Sequence, residues 1–107
     1  MPSLKDSRKT IKTSILDVED SEVILWDEMT MGDFDDIRDT ESAKERGGKA
    51  VLYHIKEWNL DEPLTLENVS LLTDRQANHL LEQTKWGRDL KKGREKLEEE
   101  VAEKKKN

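Results

Sequence analysis

Three threonines limit what this chain can fold into, because each stands where an α-helix must begin. Met29 and Phe34 bracket Thr30, Leu64 and Val69 bracket Thr65, and Leu72 and Ala77 bracket Thr73. In that arrangement the hydroxyl accepts a hydrogen bond from a first-turn backbone N–H, and the flanking apolar pair clamps the incoming chain. Gln76, three residues after Thr73, completes a capping box. Such agreement between cap and clamp marks a folded domain. It does so in a polar chain: 33% of the 107 residues are hydrophobic and 41% are charged, against roughly 25% charged in an average domain. That composition supports one small core. The expected organisation is a flexible N-terminus over 1–9, a small domain over 10–85 and a charged amphipathic tail over 86–107.

Thr10 to Leu16 and Glu22 to Glu28 are β-friendly runs separated by Asp17-Val18-Glu19-Asp20-Ser21, which predicts a short hairpin. Gly47-Gly48 is read as a break between the charged stretch ESAKER and a helix from about Lys49 to Trp58. Val51, Leu52, Ile55 and Trp58 fall on one face of that helix, and Asn59 with Pro63 ends it. Trp58 then closes the core stripe over the start of the next helix. The helix from Asp74 turns Ala77, Leu80, Leu81 and Thr84 inward. The fold class expected is mainly α, a small helical domain with a possible short N-terminal β-hairpin and a helical or disordered tail. Thr30, Phe34, Val51, Ile55, Trp58, Thr65, Thr73, Leu80 and Leu81 are its caps and core.

Beyond Thr84, a second apolar set follows a 4-3-4-4 spacing: Trp86, Leu90, Gly93, Leu97 and Val101. This is a narrow seam of coiled-coil type. Gly87 and Gly93 each weaken a helix by about 1 kcal/mol relative to Ala, so the tail is expected to order against something else. His79 lies one heptad before Trp86, which places both on a shared outward face. His79, Trp86, Leu90, Leu97 and Val101 are therefore the candidate partner-binding residues.

No set of residues reads as an active site. Asp33-Phe34-Asp35-Asp36 matches the D-x-D-D string of some acid-catalysed cyclases, but a chain this small cannot enclose a large apolar substrate. Asp33 has a nearer role at the positive end of a helix dipole. The acidic run lacks the ligand spacing of an EF-hand. The two histidines, His54 and His79, make no zinc site without Cys, of which there is none. Ser70 and Thr73 lack a Gly-rich elbow, and phosphate-cradling glycine motifs are missing. No catalytic residue, cofactor or metal is expected.

Charge is segregated along the chain. Residues 17 to 41 carry eleven acidic side chains against the single cation Arg38, while both ends are rich in Lys and Arg. This bipolar pattern differs from a uniformly basic nucleic-acid binder. It leaves one alternative, a small regulatory or nucleic-acid-associated protein using Lys85, Arg88, Lys91, Lys92 and Arg94 of the tail. No apolar run reaches the roughly 18 residues of a membrane span, and the absence of cysteine suits a reducing cytoplasm.

Two segments together resemble a known family. A β-like run into "MTMGDFDDIRD", followed by "VLYHIKEWNLDEPLTLENVSLLTDRQANHLLEQ", is similar to the tail assembly chaperones of long-tailed bacteriophages. In that family an apolar helix ends in a Trp-Asn-Leu-like turn, a short acidic loop with Pro-Leu-Thr follows, and a leucine-faced helix completes the unit. The resemblance covers residues 22 to 84. It implies a non-enzymatic role in the host bacterial cytoplasm, binding the tape measure protein and helping to recruit tail tube subunits. Many such proteins are made in two lengths by ribosomal frameshifting. The codons of Lys105-Lys106-Asn107 contain the slippery heptamer A-AAA-AAC if Lys105 ends in A and Asn107 uses AAC, so a frameshifted longer form is a further expected partner.

Overall fold

The computed structural model describes residue 4 and residues 7–105, with side chains through Lys96. The chain runs β1 (Thr10–Thr13), β2 (Val23–Trp26), α1 (Met31–Asp39), α2 (Ala43–His54), β3 (Ile55–Trp58), α3 (Leu66–Val69), α4 (Asp74–Glu82) and α5 (Lys85–Lys105). The fold is mainly helical α+β, with a small three-stranded antiparallel sheet in the order β1-β2-β3.

The expected hairpin forms, with Thr10 opposite Trp26 and Thr13 opposite Val23. Asp17 and Asp20 hold its turn with φ of 67° and 59°, a left-handed conformation that Asp tolerates better than most residues. The buried Ser21 hydroxyl accepts from the Ile15 N–H at 2.9 Å and donates to the Val18 carbonyl at 2.8 Å. Ile15, Val23 and Leu25 of this hairpin meet Val51, Ile55, Val69 and Leu80 in one core, with Leu81 and Trp58 packed against it.

All three threonine caps are present. Thr30 accepts from Asp33 N–H, Thr65 from Asn68 N–H and Thr73 from Gln76 N–H, and Gln76 Oε1 in return accepts from Thr73 N–H at 3.0 Å. A fourth helix start, at Ser42, has a hydroxyl that accepts from Glu45 N–H.

The expected helix from Lys49 to Trp58 is corrected at both ends. Helix α2 begins before the glycine pair, and Gly48 lies against α3, where a Cβ would come within 2.9 Å of Leu66 Cδ1. Helix gives way to strand at Ile55, because β2 pairs with β3. Val51, Leu52 and Ile55 are compatible with either period, and over so short an apolar run the period does not decide. Trp58 is therefore a half-buried strand residue opposite Val23, and its indole N–H donates to the Glu62 carbonyl at 2.8 Å. Asn59 follows as a clamp. Its Oδ1 accepts from Glu22 N–H at 2.7 Å, its Nδ2 donates to Asp20 O at 2.9 Å, and its own N–H donates to Glu22 O at 3.1 Å.

Phe34 is also corrected, from core to surface: it is 51% exposed, and α1 buries no residue. The shared face expected for His79 and Trp86 is absent, because helix α4 ends at Glu82 and α5 starts afresh at Lys85. Thr84, fully buried between them, donates its hydroxyl to the Leu81 carbonyl at 2.7 Å. The new helix passes so close to the old one that a Cβ on Gly87 would overlap the Leu81 carbonyl. Lys85 N–H donates to Asp27 O at 3.0 Å, and the Arg88 guanidinium lies 3.1 Å from the Asp27 carboxylate. The first turn of the expected tail is thus fastened to the end of β2.

Candidate protein-docking groove

The segment Asp27 to Thr30 leaves the central strand and enters α1 through its threonine cap, while Asp27 fixes the start of α5. These two connections leave an open groove of about 350 Å³ between α1 and α5. Met29, Met31, Phe34 and Trp86 give it apolar walls, and Glu28, Asp35 and Asp89 stand among its lining carboxylates. Met31 is 85% exposed, an unusual position for a large apolar side chain beside another such as Phe34. On the other side of Trp86 a second hollow, of about 440 Å³, lies between α4 and α5, with Leu81 and Leu90 as its apolar members.

Trp86 is held from behind. Its ring stacks on His54, with centroids 5.8 Å apart and planes 13° from parallel. His54 has no solvent exposure. Its Nδ1 lies 2.6 Å from the Ala50 carbonyl, which assigns the proton to Nδ1. Its Nε2 has no hydrogen-bond partner among the described residues. Burial pushes the His54 pKa below its ordinary value, against smaller opposing pulls from the Ala50 carbonyl, Asp27 and Asp33; Arg8 adds to the lowering.

Helix α1 is pinned to α2 on its other side. Asp36 accepts from the Tyr53 hydroxyl and pairs with Lys49 at 3.0 Å, and Lys49 also donates to Thr40 Oγ1 at 2.9 Å. These partners, the Tyr53 hydrogen bond first, lower the Asp36 pKa, and the same bond raises the Tyr53 pKa to about 12. The D-x-D-D string is accordingly the polar surface of a short helix. Among the described residues no cluster of three His, Asp or Glu side chains is placed to hold a metal ion.

Of the expected partner-binding residues, the structure brings Trp86 and Leu90 together beside the second hollow, with Leu90 51% exposed. His79 is half-buried on α4 and borders neither hollow. The side chains of Leu97 and Val101 lie outside the described residues. Met31 and His54 did not stand out in the sequence. Phe34 did, as half of an apolar clamp, a pattern that does not reveal whether the side chain is covered. One of the basic residues of the nucleic-acid alternative, Arg88, is engaged within the molecule by Asp27, and Lys85 reaches Glu28 only at 3.9 Å with both side chains exposed.

Comparison with protein-family models, with curated proteins and with solved structures finds no match. Among the described residues, no helix is long and apolar enough to cross a membrane.

Proposed function

We propose that this chain is a tail assembly chaperone of long-tailed bacteriophages, a non-enzymatic protein that binds the tape measure protein and helps recruit tail tube subunits in the host bacterial cytoplasm. The open apolar groove carries the reading: Met31, Phe34 and Trp86 line it, and the first two are largely solvent-exposed on a folded domain. Contiguous exposed apolar surface rimmed by polar residues marks an interaction site. A groove walled by helices suits the apolar face of an amphipathic helix, and helices of that kind are what a tape measure protein presents. The resemblance over residues 22 to 84 supplies the identity of the partner.

Coexpression with the neighbouring tape measure gene tests it. The tape measure protein should shift into the soluble fraction with this chain, and Phe34→Asp should abolish the shift. Unchanged solubility with the wild-type chain would refute the proposal.

A further inference from the structure

We propose that the groove between α1 and α5 selects amphipathic helices whose apolar stripe is flanked by lysine or arginine, and rejects those flanked by acids. The inference deepens the chaperone reading and rests on it for the setting.

It begins with the fate of the carboxylates. Residues 27–36 supply five of them and no cation. Two are satisfied within the molecule: Asp27 holds Arg88, and Asp36 holds Lys49 and the Tyr53 hydroxyl. The margins of the groove are different. Asp89 has no ion-pair partner among the described residues, and Glu28 reaches Lys85 only at 3.9 Å, with both side chains more than half exposed. Asp35 pairs at 3.1 Å with Arg38, one turn along the same exposed helix. An exposed pair of that kind is weak and exchanges readily for another partner. The groove lining therefore carries Glu28, Asp35 and Asp89 against Lys85 alone.

The floor fits an apolar helix face. Met29 and Met31 are flexible and polarizable, so they adapt to side chains of differing shape, whereas Trp86 is fixed by its stack on His54. A rigid aromatic wall lowers the ordering cost of binding. The walls come from α5, the start of α1 and the connection of residues 28–30 leading into it, with no strand residue among them, so a helix with apolar residues at i, i+3 and i+4 is the matching form. Cations flanking that stripe meet the acidic margins, and acids in the same positions are repelled. This is how charge at a rim discriminates between partners of equal hydrophobicity.

The test uses the full chain and two fluorescein-labelled helical peptides with the same leucine stripe, one flanked by Lys and Arg and the other by Glu. The cationic peptide should bind about tenfold or more tightly than the anionic one, with a preference that shrinks as salt is added. The double variant Asp35→Lys/Asp89→Lys, altered only at exposed positions, should reverse the preference, and Phe34→Asp should weaken both peptides. Equal affinities, or a preference unmoved by the double variant, would overturn the proposal. So would a stable dimer of the chain, seen by light scattering and dissociated by Phe34→Asp, because a second copy would then be the occupant. The two readings fail separately. Cationic peptides that bind alongside an unrescued tape measure protein would refute the chaperone identity alone. A rescued tape measure protein with no charge preference would refute this inference alone.

Discussion

His54 is shut away from water, with Trp86 stacked on its ring and nothing bonded to Nε2 among the described residues. A proton added there would need water or a displaced indole to solvate it. Because burial lowers its pKa from 6.5, the folded and unfolded chains are both neutral at this position above about pH 6.5. Below that value the unfolded chain takes up the proton first. Stability contributed by His54 is thus fully present above about pH 6.5 and falls as the pH drops, by up to about 1.4 kcal/mol per unit, until the folded pKa is reached. Urea unfolding should give a flat stability between about pH 7 and 8 and a declining one toward pH 5.5. His54→Leu should flatten that decline, and an unchanged slope would show that another group causes it.

Glycines that look alike in the sequence act differently in the helices. At Gly87 a side chain would overlap the Leu81 carbonyl, while at Gly93 a Cβ would meet nothing within 4 Å. Gly87→Ala should therefore destabilise the domain by about 2 kcal/mol or more through strain at the α4–α5 crossing. Gly93→Ala should raise the helicity of α5, with a gain of up to about 1 kcal/mol; circular dichroism with urea titration measures both. The elements that were legible are those with local causes. Thr30, Thr65 and Thr73 bond to N–H groups three residues on, so the sequence carries the whole interaction. Strand β3 was not legible, because it is made by pairing with β2 across all of α1 and α2. Of the groove, Trp86 was legible for a local reason, since it repeats with Leu90 at helical spacing and finds no partner in the tail, but the exposure of Phe34 depends on where α1 comes to rest.

For the molecule as a whole, the domain and α5 meet through a few named contacts. Trp86 covers His54 and Arg88 holds Asp27, whereas Lys91 to Lys96 are all exposed. A chain ending at Thr84 should still fold but lose about 2 kcal/mol, the scale of uncovering a half-buried tryptophan. One ending at Lys96 should keep the full-length thermal transition. Equal midpoints for all three chains would place Trp86 outside the cooperative unit. The position of β2 between β1 and β3 also sets an order of assembly. Its first neighbour arrives through the short connection of residues 14–22, but its second is separated from it by α1 and α2, and such distant pairings close slowly. On the ribosome, the hairpin can therefore form while the far edge of Val23 and Leu25 is still bare, a state open to pairing with other chains. That interval lasts until Ile55 to Trp58 have left the ribosomal exit tunnel, and the very next residue, Asn59, fastens the late strand to Glu22 and Asp20.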